Sequence, residues 1–240
     1  MNVVPVKTPV IKKGDDLVDI FLDNLETPLK EKSIIIITSK IVAVAEGSVR
    51  PYGSEEELKD LIFKEADAVL GKSQNYDFYL TEKDGHMLPN AGIDKSNAEP
   101  GTAILLPENS QKAAEDFRKV IQEKTGLKEL GVVICDSRVL PFRRGISGTA
   151  LAWVGFIGIT DERGKPDIFG ETLKVSEIAA ADNLASMAQI FFGQANEQVP
   201  FVVAEDAPAT FTDEAQDSSY ARIPKEDDLF YEIFQRQLDN

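Results

Sequence analysis

Short apolar runs predict the buried strands of this chain. Residues 33–38 (SIIIIT) are almost entirely β-branched, and residues 131–135 (GVVIC) form a second dense run. Continuous runs of this kind are typical of strands that are buried on both faces of a sheet. Residues 2–6 and 200–204 predict two further strands, and the glycine-interrupted apolar stretch at 149–160 predicts one more core strand.

Apolar residues at helical spacing mark the helices of the first half. Residues 14–16 (GDD) open an amphipathic helix, and Ser54 with Glu57 forms a capping box ahead of a second helix, which is predicted to end near Gly71. Residues 76–89 then predict a hairpin that turns at a Lys-Asp-Gly sequence.

The second half predicts two longer helices and a different tail. Asn109 is a suitable N-cap for a helix that extends to about Thr125, and the alanine-rich residues 175–192 predict the longest helix of the chain. Because helices and strands alternate irregularly, the pattern favours an α+β fold with mixed or antiparallel sheets and flanking helices. Residues 1–204 are predicted to form one domain, divisible into two interleaved subdomains. Residues 205–240 are predicted to form an acidic extension with a short helix at 229–238.

Composition excludes several classes of partner. The net charge is −15, which argues against binding to nucleic acid or to an anionic membrane surface. No apolar run approaches the length of a membrane helix, and the first residues lack the apolar segment of an export signal. The single cysteine agrees with a reducing cytoplasm. An acidic chain that handles phosphates needs bound metal ions or a few placed arginines.

The common phosphate and zinc motifs are missing. There is no Walker A sequence and no GxGxxG after a strand. His86 is the only histidine and falls in the predicted hairpin, where an exposed or structural role is favoured. Cys135 lies inside an apolar strand with no adjacent cation, which favours a buried and unreactive thiol.

Two loops carry residues suited to chemistry. Residues 90–97 (NAGIDKSN) combine small residues with Asp94, whose hard oxygens suit Mg²⁺ or Mn²⁺. Residues 135–145 (CDSRVLPFRRG) place a carboxylate and a hydroxyl at the end of a buried strand, followed by Arg143 and Arg144, which could clamp phosphate or carboxylate oxygens. Taken singly, each loop is also compatible with a plain Asx-rich turn or a solvated loop.

Taken together, these segments resemble the coenzyme F420-0:γ-glutamyl ligase family, in family order over about residues 3–204. The octet at residues 90–97 is the most specific match. The other matching pieces are PVK at 5–7, GDDL at 14–17, TSKIV at 38–42, AEG at 45–47, LLP at 105–107, DS at 136–137, FRRG at 142–145, DIFG at 167–170, AD at 181–182, FG at 192–193 and VP at 199–200.

The resemblance implies an intertwined homodimer, GTP as co-substrate, and two divalent ions, Mn²⁺ or Mg²⁺, with K⁺ as a further candidate ion. An apolar stretch at 149–160 that is too hydrophobic for an exposed edge strand agrees with a dimer. By position, the metal ligands would be Asp94, Asp136, Ser137 and Gln194. The nucleotide would be lined by Thr8, Pro9, Val10, Ile11, Ser39, Lys40, Asn97 and Gln194.

In the implied reaction, the acceptor carboxylate attacks the γ-phosphate of GTP to form an acyl phosphate, and the amine of L-glutamate then displaces phosphate. Lys40, Arg143 and Arg144 are the predicted catalytic cations.

The chain also departs from the family. Val44 stands where a second lysine is usual, Val139-Leu140 replace a Gly-Arg pair, and Gln194 holds a position that is often acidic. Residues 205–206 (ED) replace an Arg-Gly pair.

Three functions therefore remain open from the sequence. The first is a ligase that acts on coenzyme F420-0 or an extended form of it. The second is a glutamyl ligase for another acceptor, such as a folate or related pterin. The third is a degenerate member that binds a nucleotide or an anionic metabolite without turnover. The pair Asp94 and Asp136 favours the first two, whereas Val44 and Leu140 favour the last two.

Overall fold

The structure is a computed structural model that describes residues 1–230. Its strands are β1 (Asn2–Val6), β2 (Ser33–Thr38), β3 (Val49–Pro51), β4 (Ala68–Lys72), β5 (Tyr79–Lys83), β6 (His86–Pro89), β7 (Thr102–Ile104), β8 (Leu130–Val139), β9 (Ile146–Val154), β10 (Ile159–Asp161), β11 (Glu177–Ala179) and β12 (Phe201–Glu205). Its helices are α1 (Leu17–Asp23), α2 (Ser39–Glu46), α3 (Glu55–Glu65), α4 (Ser110–Thr125) and α5 (Ala180–Phe192), with 3-10 turns at Asn90–Gly92, Ser218–Ala221 and Lys225–Asp227.

A five-stranded mixed sheet forms the centre of the fold. Its strand order is β1-β12-β2-β8-β9. Only β2 and β8 run parallel to each other, and the remaining neighbours are antiparallel. The predicted α+β class with mixed and antiparallel sheets and flanking helices is therefore confirmed.

Both faces of this sheet are covered, as the isoleucine run predicts. Ile35 and Ile37 pack into one core with Phe21 of α1 and Phe117 of α4. Ile34 and Ile36 point to the opposite face, where α5 packs. All four isoleucines are at most 1% exposed. Since full burial of such a side chain contributes about 1.5–3 kcal/mol, this one strand is a major source of stability.

Three smaller sheets surround the centre. β4, β5 and β6 form an antiparallel sheet, β3 pairs with β7, and β10 pairs with β11. The predicted hairpin is confirmed as β5 and β6, which turn at Asp84 and Gly85. A small core that includes Leu58, Ile62 and Leu105 holds α3 against β7 and the loop before it.

Two helix predictions are wrong at their ends. The helix capped by Ser54 ends at Glu65 and not near Gly71, because the next residues form β4 and add a third strand to the hairpin. The helix predicted over 175–192 begins at Ala180, because the preceding residues pair as β11 with β10. At 13 residues it is shorter than α4, which has 16. Tertiary strand pairing overrides local helical preference in both cases.

The stretch predicted as one strand over 149–160 is also broken. β9 ends at Val154, and Gly155 adopts a φ of +86° at a point where a Cβ atom would lie only 2.1 Å from the carbonyl oxygen of Leu130. The apolar residues before the break are buried within the chain, with Trp153 only 3% exposed. Their hydrophobicity is therefore accounted for without a second subunit.

The chain continues past β12 along the outside of the core. Arg118 of α4 pairs with Asp213 at 2.6 Å, and Gln111 donates from Nε2 to the carbonyl oxygen of Gln216 at 2.9 Å. The short helix predicted at 229–238 falls mainly on residues 231–240, outside the described residues. Within residues 1–230, no helix combines the length and the apolar character that a membrane crossing requires.

Candidate functional site

The register of the central sheet brings two polar strand ends to one pocket. Thr38 of β2 lies opposite Cys135 of β8, so Ser39 and Asp136 follow side by side. A pocket of about 410 Å³ opens at this point, at the carboxyl ends of parallel strands where ligand sites commonly form. Its wall consists of residues 8–11, 38–41, Val44, Asp94, Asn97, 135–137, Gln189 and 192–200.

The pocket collects every residue that the resemblance implies for nucleotide and metal binding. These residues are Thr8, Pro9, Val10, Ile11, Ser39, Lys40, Asp94, Asn97, Asp136, Ser137 and Gln194. Arg143 and Arg144 are not part of this wall, because they lie on the exposed loop between β8 and β9, next to a fully exposed Phe142. Their predicted catalytic role stays a prediction.

Asp94 is held rigidly and has a cationic partner. Its backbone N–H and carbonyl both bond with Ile104, at 3.0 and 2.9 Å. Lys40 Nζ lies 2.7 Å from Oδ2, while Ser96 donates from its N–H to Oδ1 at 2.6 Å and from Oγ to Oδ2 at 2.9 Å. Burial raises the pKa of Asp94, but Lys40 and Ser96 together lower it further, so the net pKa lies below its usual value.

Asp136 sits in a different environment. Oδ2 accepts the Ser39 hydroxyl at 3.0 Å, and Oδ1 accepts the N–H of Ser137 at 2.6 Å. Burial raises the pKa of Asp136 to about 6, and the negative charge of Asp94 also raises it. The two hydrogen bonds lower the pKa, but their effect is weaker than that of burial. The second carboxylate is therefore less stable as an anion, which is the condition that an added cation would relieve.

The donor set suits a divalent oxygen-binding cation. Within residues 1–230 there is no cluster of three or more His, Cys, Asp or Glu side chains, so an all-protein cage for zinc or calcium is not present there. Mg²⁺ and Mn²⁺ need less from the protein, because they are typically held by one or two carboxylates together with substrate phosphates and water. Asp94 and Asp136 could supply the carboxylates, and the Ser137 hydroxyl a neutral oxygen.

A polar loop, from which only Gln194 was predicted as a site residue, closes the other side of the pocket. The last turn of α5 supplies Gln189 and Phe192 to the wall, and the loop that follows the helix supplies residues 193–198. Thr8 donates its N–H to the carbonyl oxygen of Gln198 at 3.0 Å, which ties this loop to the segment after β1. The sequence feature that could have indicated this loop is the run of amide and acidic residues that follows the alanine-rich helix and its terminal Gly193.

Three of the departures from the family pattern fall in different places. Val44 lines the pocket, so the absent lysine is a missing positive charge inside the site. Leu140 is 41% exposed at the start of the Arg143 loop and is not part of the wall. Gln194 is exposed and donates from Nε2 to its neighbour Gly193 at 2.7 Å.

The remaining single residues have structural environments. Cys135 is fully buried, which confirms its predicted position, and burial raises the pKa of its thiol well above the usual value. His86 begins β6 and is half-buried, and burial together with nearby Arg222 lowers the pKa of its imidazole. It does not line the pocket.

Fold and pocket together define a class, an α+β protein with a small-molecule pocket in which two carboxylates face cationic and hydroxyl side chains. Comparison with known proteins gives the family. The model of the F420-0:γ-glutamyl ligase family matches residues 5–57 and 51–206. Proteins named coenzyme F420:L-glutamate ligase are similar over most of their length. One from Methanococcus maripaludis (strain C7) is 34% identical over 96% of this chain and 97% of its own.

Two further relatives with the same name agree with this match. The protein from Methanocaldococcus jannaschii is 33% identical over 96% of each chain, and the one from Methanopyrus kandleri is 34% identical over 83% of this chain and 84% of its own. The chain belongs to the F420-0:γ-glutamyl ligase family. The family predicted from the sequence is thus confirmed, and with it the class of enzyme, a ligase that forms a C–N bond.

Proposed function

We propose that this protein is a ligase of coenzyme F420 biosynthesis that joins L-glutamate to the carboxylate of a coenzyme F420-0-type acceptor, with GTP and a divalent metal. The observation that carries the proposal is the convergence of Asp94 and Asp136 on one pocket, beside the residues that resemble a nucleotide site. The names of the relatives support the acceptor and the glutamate.

The proposed chemistry has two balanced steps. An oxygen of the acceptor carboxylate attacks the γ-phosphorus of GTP, the bond to the β-phosphate oxygen breaks, and GDP leaves. The amine of glutamate then attacks the acyl carbon, phosphate leaves with the bonding electron pair, and the nitrogen loses a proton. Divalent ions, when bound, supply charge neutralisation for the transferred phosphoryl group.

Residues of this chain would orient the reactants around that charge. Asp94 and Asp136 would hold the cation, and the Ser39 hydroxyl keeps Asp136 oriented through the 3.0 Å hydrogen bond. Lys40 would contact the phosphates, because it lines the pocket and carries a positive charge next to Asp94. The segment 8–11 and the loop after α5 would enclose the nucleotide and exclude water.

The experiment is a matrix of acceptors and nucleotides. The protein is incubated with Mn²⁺, L-glutamate, GTP or ATP, and either coenzyme F420-0 or a folate, while released phosphate and the mass of the acceptor are measured. Glutamylated F420-0 with stoichiometric phosphate from GTP is expected. Glutamylation of folate alone would support the alternative acceptor. Binding of GTP and Mn²⁺ without phosphate release from any pair would support the non-catalytic reading, which Val44 in the pocket favours.

The homodimer is part of the proposal. Several large apolar side chains on two loops have no cover within the described chain, and Phe142, Ile168, Phe169 and Val175 are each at least 85% exposed. Exposed apolar patches commonly mark interfaces. A second copy of the chain could bury these loops and carry Arg143 towards the pocket of its partner. Light scattering at micromolar concentration is expected to give the mass of a dimer.

Arg143→Ala is expected to reduce turnover by about 100-fold, because a lost charged contact to the transferring phosphoryl group costs about 3 kcal/mol. The exposed Arg50→Ala is the matched control, since Arg50 donates to the nearby backbone carbonyl oxygens of Gly47 and Val49 and lies outside the pocket. Mixing Arg143→Ala with Asp136→Asn subunits tests the dimer. If arginine acts across the interface, half of the dimers regain one intact site, and about a quarter of the activity returns. If no activity returns on mixing, Arg143 acts on the pocket of its own chain. If turnover is unchanged in Arg143→Ala, Arg143 takes no part in the reaction.

A further inference from the structure

Lys40 occupies Oδ2, one of the two oxygens through which Asp94 could hold a cation. Its Nζ lies 2.7 Å from Asp94 Oδ2 and 3.1 Å from both the carbonyl oxygen and the Oγ of Ser96. Since Ser96 Oγ also donates to the same Oδ2, that oxygen accepts two hydrogen bonds and has no further lone pair to offer. The ammonium group and a metal ion cannot both use this oxygen.

Asp136 has no such partner. Its carboxylate accepts one hydroxyl and one backbone N–H, and within residues 1–230 no ammonium or guanidinium group forms an ion pair with it. At this end of the pocket the negative charges of Asp94 and Asp136 are therefore balanced only in part, by the single ammonium group of Lys40. A divalent ion would balance both charges better than Lys40 does, because it carries twice the charge and can bind both carboxylates.

The side chain of Lys40 is able to move. It is on the first turn of α2 and 27% exposed, and a lysine ammonium is a point charge on four rotatable carbons that can reorient without backbone movement. Lys40 also lines the same wall as the segment 8–11 and Asn97. Once released from Asp94, its charge would remain inside the pocket and be free for an anion.

We propose that Lys40 is a resident counter-ion of Asp94, that an entering divalent cation displaces it, and that the released ammonium then binds the nucleotide phosphates. The inference rests on the proposed function, since it assumes a cation at Asp94 and a nucleotide in the same pocket. It couples the two ligands. Metal releases the lysine that the nucleotide uses, and the nucleotide holds the lysine away from the metal site, so each ligand raises the affinity for the other.

The test measures Mn²⁺ binding with and without GTP in Lys40→Met, at a pH near 8 where both carboxylates are ionised. Without nucleotide, Lys40→Met is expected to bind Mn²⁺ about fivefold more tightly than the wild type, because a competing cation is gone. GTP in the presence of Mn²⁺ is expected to bind at least about tenfold more weakly. Lys95→Met is the matched control. Lys95 directly follows Asp94 in the chain, but it pairs with the exposed Glu55 and does not line the pocket.

The possible outcomes separate this inference from the proposed function. A wild type that binds no Mn²⁺ contradicts the metal site, and with it the proposed function. A wild type that binds Mn²⁺, together with a Lys40→Met variant that binds it equally or less tightly, overturns the inference alone. Should Lys40→Met fail to fold, lysine acylation followed by mass spectrometry of the wild type decides. Lys40 reactivity must rise with Mn²⁺ and fall again with GTP, and unchanged reactivity overturns the inference.

Discussion

Asp136→Asn is expected to abolish most Mn²⁺ binding and to lower turnover by about 1000-fold. The substitution keeps the shape of the side chain but removes the anionic oxygens that a divalent cation prefers. Metal ions contribute several kcal/mol to stabilising charge in phosphoryl transfer, and about 4 kcal/mol corresponds to a 1000-fold change in rate. Asp94→Asn is expected to act in the same direction, and in the metal-free protein it also removes the ion pair with Lys40.

Isothermal titration with Mn²⁺ and steady-state phosphate release are the measurements. Asp161→Asn is the matched control, because Asp161 is an exposed carboxylate that pairs with Arg163 and lies outside the pocket. Titration curves of both pocket variants that coincide with the wild type would show that neither Asp94 nor Asp136 binds the metal.

Protonation should reproduce the substitution reversibly. The metal-binding form of Asp136 is the carboxylate, and in the metal-free protein burial raises its pKa to about 6. Protons therefore compete with Mn²⁺ as the pH falls through that value, and the affinity is expected to decrease by about tenfold per pH unit below it. Above about pH 7 the affinity should be nearly constant. Titrations between pH 5 and 8 would test this, and a flat profile would contradict the assigned role of Asp136.

Gly148→Ala is expected to destabilise the fold by about 3 kcal/mol. A Cβ atom at Gly148 would lie 2.3 Å from the backbone carbon of Ala185 and 2.6 Å from the backbone nitrogen of Ser186. Backbone atoms on both sides cannot move locally, so β9 and α5 would have to separate. Overpacking of this kind costs about 1–3 kcal/mol and sometimes more, which for a chain of this size lowers Tm by roughly 6–12 °C.

The same contact shapes the pocket. α5 is held on the sheet by Asp182, which accepts the N–H of Ala150 at 2.8 Å and pairs with Arg138 at 3.0 Å. The far end of this helix supplies Gln189 and Phe192 to the pocket wall. Gly148→Ala should therefore also weaken GTP binding by widening the pocket.

Thermal unfolding followed by calorimetry and GTP titration would measure both effects. Gly53→Ala is the control, because a Cβ there meets only the flexible carboxylate of Glu57 at 3.4 Å. It should change Tm by no more than a degree or two. Equal melting temperatures for Gly148→Ala and Gly53→Ala would show that β9 and α5 are less closely packed than described.

Local patterns were sufficient for much of the fold. The β-branched run at β2 could be identified from the sequence because a strand buried on both faces admits almost only such residues. Asn109 and Ser54 identified helix starts because their side chains accept backbone N–H groups at those caps. The same reasoning failed at 66–72 and 175–179, where pairing with another strand supplies the hydrogen bonds, and the local helical preference carries no information about that pairing.

The candidate site divides in the same way. Residues such as Asp94 and Asp136 could be chosen from the sequence because their chemistry is unusual for their positions and resembles a family motif. What no local pattern contains is the parallel pairing of β2 with β8, the placement of the 193–199 loop against Thr8, or the ion pair between Lys40 and Asp94. These depend on contacts between residues far apart in the chain, which packing of the whole sheet and its helices brings within a few ångströms.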